Sequence, residues 1–368
     1  MPVASLANAR VVLPDGVRHG ALHIAGGTIA AAPGPGDVLD LGGRYVVPGF
    51  VDMHVHGGAG ASYQNPAEAR RAAEFHLAHG TTTTMASLVT GTPDELASSV
   101  AGLADLAADG VIAGVHLEGP YLSRDRCGAH DPALLRPPDP AEFGRLVRAG
   151  RGHVRMITLA PELPGALDLV RAAADAGVIA AVGHTDGPGA TARAAFDAGA
   201  RVATHLFNAM RPLHHREGGP IAAALTDPRV TVELINDGVH VEPAVARLAF
   251  AATPRVALIT DAMAAAGMGD GDYRLGVMDV EVRGGRATLA GGTSIAGSTI
   301  TMADAFRQAV TAAGLPIERA AEAASLTPAR ALGLDSRVGS LDPGKDADLV
   351  VLDDDLSVSW VMRKGRRI

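Results

Sequence analysis

From about residue 45 to residue 262 the chain alternates short β-rich runs with alanine-rich stretches. The β-rich runs are "RYVVPGFVDMHV", "TTTTMASLV", "VIAGVHLEG", "VRMITLAPE", "VIAAVGHT", "RVATHLFN", "VTVELINDG" and "RVALITDA". The stretches between them, such as "PAEARRAAEFHLAHG" and "LPGALDLVRAAADAG", place Ala, Leu and Phe at helical spacing and end in Gly, the residue that most easily adopts a left-handed cap. Strands separated by a helix of this length pair in parallel. Eight such units predict an α/β fold of the (β/α)8 TIM-barrel type, whose reactive groups sit at the C-terminal ends of the strands.

The flanks follow another grammar. Residues 1–46 and 335–368 consist of short alternating strands with Gly, Pro and Asp turns, and they predict one small β-sandwich domain built from both ends of the chain. The barrel then occupies residues 47–334. A hairpin insertion is expected at about 270–294, around "YRLGVMDVEVRGGRATLAGG".

Charge and composition exclude several classes of partner. The net charge is −8 and no basic run occurs before Arg363, Lys364, Arg366 and Arg367, so no nucleic acid is expected. No apolar run reaches the roughly 18 residues of a membrane span, and "MPVASLANAR" does not read as a secretory signal. With a lone Cys127 the chain suits a reducing, cytoplasmic setting.

Ionisable residues recur where barrel strands should be apolar. His54 and His56 close the first predicted strand, Glu118 the third, His184 the fifth, His205 the sixth and Asp261 the eighth. An unpaired group there carries a desolvation cost of a few kcal/mol or more, roughly. Side chains two apart on a strand point the same way, so His54 and His56 are expected to face inward, with Met53 and Val55 toward the helices. Imidazole and carboxylate suit a divalent transition metal, and metal binding explains the whole set at once. His76, His79, His153, His214 and His215 fall on helices or loops and read as surface or capping histidines.

The motifs "PGFVDMHVHG", "HLEGPYLS", "GAHDP", "GHTDG", "THLFNAM", "REGG", "NDGVHV", "LITDAM", "IAGST", "SLTPARALGL" and "GSLDPGKDADLVVLD" occur in this order over nearly the full chain. Taken together they resemble the amidohydrolase superfamily, and within it the N-acetylglucosamine-6-phosphate deacetylase family. Hydantoinase, dihydroorotase and urease types bridge two metals with a carbamylated lysine on the fourth strand. This chain has only two lysines, Lys345 and Lys364, so that bridge is impossible and Glu118 is the carboxylate at the rim able to replace it.

The resemblance implies deacetylation of a phosphorylated amino sugar by a metal-activated water. Glu118, His184 and His205 match the principal metal ligands, and His54 with His56 matches the pair found in members that hold a second ion. One or two divalent ions are therefore expected, zinc first, with iron, manganese or cobalt as alternatives. Asp261 matches the general base and acid, and His130 the residue that polarises the acetyl carbonyl. Substrate contacts fall on Ala129, Asn208, Ala209, Arg216, Asp237, His240, Ile295, Ala296 and Gly297, with Arg211 a second candidate for the phosphate. The resemblance also implies a homodimer in which Arg216 reaches the partner's site; read alone, Arg216 would pair with Glu217 on the surface.

Two alternatives remain open on the sequence: the N-acetylgalactosamine epimer as substrate, and an N-acyl amino-acid deacylase or dipeptidase on the same scaffold. Cys127 departs from the family pattern, which often has lysine before "GAHDP". A Cys127→Ser variant is expected to show a modest change in KM for substrate; steady-state kinetics identical to the parent would deny the thiol any role.

Overall fold

The structure is a computed structural model describing residues 3–368. Its centre is a sheet of eight parallel strands in chain order: Phe50–Asp52, Thr81–Leu88, Gly114–Glu118, Val154–Leu159, Ile179–Val182, Val202–Ala203, Thr231–Ile235 and Val256–Ile259. These eight match the eight runs expected from the sequence. The seam between the eighth and first strands is closed by side chain and loop. Thr260 donates its N–H to Asp52 Oδ1 at 3.3 Å and its hydroxyl to Oδ2 at 2.5 Å. Further up, the Asp261 N–H donates to His54 O at 2.9 Å and the His56 N–H to Ala262 O at 2.7 Å. Burial pushes the Asp52 carboxyl up to about 7, against the opposing hydrogen bonds from Thr260.

Short signals start the surrounding helices. Asn65, Thr92 and Asp139 each precede a proline and accept from backbone N–H groups of the first turn, opening helices Pro66–Ala78, Pro93–Ala108 and Pro140–Ala149. Thr92 and Glu95 complete a reciprocal capping box.

The barrel interior is layered. Val51, Met53, Met85, Met156, Val202 and Ile259 form an apolar floor, closed by Ala329, Leu332 and Val338. Met53 therefore departs from the expectation that it faces the helices. The first strand ends at Asp52 and the chain bends over 53–54, so Met53 joins the floor and His54 still turns inward above it. Val55 does pack on the helix side. Above the floor lies a polar layer: His116 Nδ1 meets Ser87 Oγ at 2.9 Å, His116 Nε2 meets Thr158 Oγ1 at 2.9 Å, and Thr158 meets Thr204 at 2.8 Å.

The two ends of the chain share one eight-stranded sheet, in which Tyr45–Pro48 pairs in parallel with Val3–Leu13 and antiparallel with Leu349–Leu352. Alternation divides its faces. Val46 and Val351 enter the small sheet's own cluster with Leu6, Ile29 and Met362, whereas Val47 and Val350 enter the cluster around the barrel helices. The expected hairpin insertion is a meander of three strands, Gly271–Leu275, Met278–Arg283 and Arg286–Leu289. Its third strand and the segment after it reach the mouth of the barrel.

No helix among the described residues is long and apolar enough to cross a membrane. Phe306, on helix Met302–Thr311, is fully buried and packs on Phe50 of the first strand with ring centroids 5.4 Å apart. Phe306→Ala is expected to cost about 3–5 kcal/mol in urea unfolding; a loss below about 1 kcal/mol would contradict this packing.

Candidate active site

At the C-terminal ends of the strands, His54, His56, Glu118, His184, His205 and Asp261 converge, all buried. They form two groups, His54/His56/Asp261 and Glu118/His184/His205, each with its donor atoms within 4.8 Å of one another. Glu118 stands between the groups. Its Oε1 lies 3.1 Å from His184 Nε2 and 3.0 Å from His205 Nε2, and its Oε2 lies 3.2 Å from His56 Nε2. Asp261 Oδ1 lies 3.1 Å from His56 Nε2 and 3.5 Å from His54 Nε2.

The imidazole tautomers identify what belongs at the centre. His184 Nδ1 lies 2.8 Å from the Arg126 carbonyl and His56 Nδ1 3.2 Å from the Ser87 carbonyl. Carbonyl oxygens only accept, so each Nδ1 carries the hydrogen and each neutral ring presents a lone pair at Nε2. The Nε2 atoms of His184 and His205 are nevertheless 3.0 Å apart, as are those of His54 and His56 at 3.1 Å. Lone pairs at that separation call for a proton or a cation between them. Nitrogen and carboxylate oxygen in this ratio suit a divalent transition metal, so the residues fit one.

The electrostatics agree. Burial pulls His56 down, but hydrogen bonds to Asp261 and Glu118 outweigh it and raise the ring to about 9. Burial likewise opposes the charge on His54, and the charges of Glu118, Glu233 and Asp261 drive it well above its ordinary value. Both shifts express one demand, positive charge among buried carboxylates.

His130 behaves differently. The Thr90 N–H donates to its Nδ1 at 3.2 Å, and the Thr90 hydroxyl lies 2.8 Å from the same atom. Nδ1 is thus an acceptor, and the neutral ring carries its hydrogen on Nε2, 3.3 Å from Glu118 Oε2. Burial lowers His130 to about 4, so it is a neutral donor aimed into the site at pH 7.

The site opens into a cavity of about 420 Å³. Ala129, Asn208, Ala209, His240, Ile295 and Gly297 line it, as the sequence suggested, together with Arg126 and Arg286, which the sequence reading missed. Ala296 is buried behind the wall. The His240 Nδ1–H donates to Asp237 at 2.7 Å, which fixes the ring and leaves Nε2 toward the cavity. Gly297 has a φ of +65°, and a Cβ there would lie 2.8 Å from Asp261 O, so only glycine lets this segment run against the Asp261 backbone. His184, His205, Ala209 and Asp261 have φ of 47°, 28°, 47° and 49°. Backbone held this way in non-glycine residues costs on the order of 1–3 kcal/mol each and clusters at functional sites.

Arg216 does not line the cavity of its own chain. It is exposed, with Nη1 2.8 Å from His215 Nε2, and Glu217 pairs with Arg211 instead at 2.8 Å. Arg211 also reaches Asp186 at 3.1 Å, and Arg126 holds the same carboxylate at 2.8 Å. His76, expected at the surface or as a cap, is fully buried and meets the Gly57 carbonyl at 2.8 Å, just beyond the paired histidines. Sequence reading also missed Thr90, His116 and Glu233. Glu233, a charge inside the apolar run "VTVELI", carried the same signal as Glu118.

The Amidohydrolase family model matches residues 45–368. The chain belongs to the amidohydrolase family. Among solved structures, an N-acetyl-D-glucosamine-6-phosphate deacetylase variant from Mycobacterium smegmatis, in complex with N-acetyl-D-glucosamine-6-phosphate, superposes with a TM-score of 0.95 at 49% identity, over 100% of this chain and 99% of that one. N-acetylglucosamine-6-phosphate deacetylase from Bos taurus is 39% identical over 89% of this chain and 84% of its own. N-acetylgalactosamine-6-phosphate deacetylase from Escherichia coli O157:H7 is 39% identical over 94% and 93%. This amidohydrolase therefore matches deacetylases of both epimers along almost their whole length.

The raised histidines give a pH prediction. In the metal-free protein His56 has a folded value of about 9 against 6.5 ordinarily, so its contribution to stability is fully present below 6.5 and is lost as pH rises through 9. Zinc must displace that proton. Its affinity, measured by titration against a competing chelator, is expected to rise roughly tenfold per pH unit between pH 6 and 8 for each proton released; an affinity independent of pH over this range would contradict the site.

Proposed function

We propose that this amidohydrolase hydrolyses the acetamide of N-acetyl-D-glucosamine 6-phosphate, giving D-glucosamine 6-phosphate and acetate. The observation that carries the reading is one cavity in which the neutral Nε2–H of His130 and the carboxylate of Asp261 face the same cluster of metal-ligand side chains. The whole-length likeness to a deacetylase solved with that sugar phosphate supports the substrate. The galactosamine epimer is the second reading, favoured by the Escherichia coli relative.

Glu118, His184 and His205 would hold one divalent ion and His54, His56 and Asp261 a second, zinc first among the candidates. Such an ion supplies Lewis acidity and lowers the pKa of bound water to roughly 7. Asp261 takes the proton of the attacking water and returns it to the amide nitrogen, so that a neutral amine departs. His130 donates its Nε2–H to the acetyl oxygen as negative charge builds there. The Asp237–His240 pair and the backbone at Asn208 and Ala209 orient the sugar phosphate, and the Ile295–Gly297 segment lets main chain approach the ring. Arg216, exposed outside its own cavity, serves the phosphate of a partner subunit in a cytoplasmic homodimer.

Asp261→Asn is expected to lower kcat by about 10²–10⁴-fold with little change in KM, and His130→Ala by about 10²–10³-fold. Arg216→Ala is expected to raise KM for the phosphorylated sugar and leave the slow turnover of the plain sugar unaltered. Acetate release, followed with and without chelator, checks all three; equal rates on phosphorylated and plain sugar, or chelator-resistant turnover, would refute the proposal.

A further inference from the structure

Glu233 has no part in the chemistry above, yet its carboxylate is wholly buried next to the site, with 0% exposure. It lies midway along the seventh strand, beneath the donor cluster. Its Oε2 lies 3.1 Å from His54 Nδ1 and accepts the backbone N–H of His205 at 3.2 Å. Its Oε1 is buried without a hydrogen-bond partner among the described residues. One carboxylate oxygen thus touches one residue from each donor group, His54 through the ring and His205 through the main chain.

From this geometry we infer that Glu233 is the positioning residue that makes His54 a metal ligand and sets the affinity of the second ion. The inference rests on the proposed reading that His54, His56 and Asp261 hold an ion. A carboxylate beside Nδ1 keeps the hydrogen on that nitrogen and turns the Nε2 lone pair toward His56 and Asp261. His184 and His56 are fixed in the same sense by neutral carbonyl oxygens. Among these three rings, only His54 has a charged partner at Nδ1, which raises its basicity as a ligand. The negative charge of Glu233, with one oxygen unpartnered, is in turn balanced by a cation across the ring. His205 ties to Glu233 only through its backbone, and its own Nδ1 is unpartnered. The Glu118/His184/His205 group is therefore much less dependent on this carboxylate.

The test is a zinc titration of the full chain against a competing chelator, with bound metal counted by mass spectrometry. The variants are Glu233→Gln, which keeps the volume and removes the charge, and Glu233→Asp, which keeps the charge and withdraws it. Wild type is expected to bind two ions in separable phases. In Glu233→Gln one phase should weaken by roughly 10–100-fold, while the other stays within a few-fold and reports an intact barrel. If the Gln variant does not fold, the same selective loss in Glu233→Asp decides the matter. With cobalt(II) in place of zinc, the visible absorption of the weakened site should be the part that is lost. A wild-type protein that binds one ion overturns the reading of the second group and this inference with it. Two ions in wild type, with both phases unchanged in whichever variant folds, overturn the role of Glu233 alone.

Discussion

Three carboxylates, Glu118, Glu233 and Asp261, are buried within reach of the imidazoles of His54, His56, His184 and His205. Anions so placed are sustained only by positive charge in the same volume, because each loses its hydration and an unpaired buried charge is among the most costly features a fold can hold. The remainder of the site follows from this constraint. The Nδ1 atoms of His56 and His184 turn outward to carbonyl oxygens and that of His54 to Glu233, Nε2 atoms crowd together at separations that call for a proton or a cation between them, and left-handed backbone at His184, His205 and Asp261 brings the donors to one point.

The scaffold keeps that point rigid by layering. The apolar floor from Val51 to Ile259 seals the lower barrel, and the Ser87–His116–Thr158–Thr204 chain lies above it. Asp52 bridges the seam where ladder pairing between the first and eighth strands fails, which fixes His54 and Asp261 relative to each other. The terminal sheet contributes from outside through Val47 and Val350 against the helix ring. His130 obtains its donor role from Thr90, on the loop after the second strand, and its neutrality from burial.

Much of this was legible in the residue order. Period and helix-length spacing gave eight parallel strands, and ionisable groups interrupting apolar runs gave His54, His56, Glu118, His184, His205 and Asp261 on one rim. Glu233 does not stand out in the same way, because it lies two residues inside its strand and not at the C-terminal end where a barrel's reactive groups are expected. Met53 was misplaced because alternation holds only while a strand continues, and this one stops at Asp52. Arg286–Leu289 was hidden because a short run between glycine turns reads equally as the close of a hairpin. Arg126 and Arg286 carry no local signal, since long-range folding alone brings an arginine to a cavity wall.

The cation is most directly tested by anomalous diffraction at the zinc edge from crystals of the zinc-loaded protein. A peak about 2.0–2.2 Å from Glu118, His184 Nε2 and His205 Nε2 is the predicted result. Zinc found only at exposed histidines such as His214 and His215, with no peak inside the barrel mouth, would contradict it.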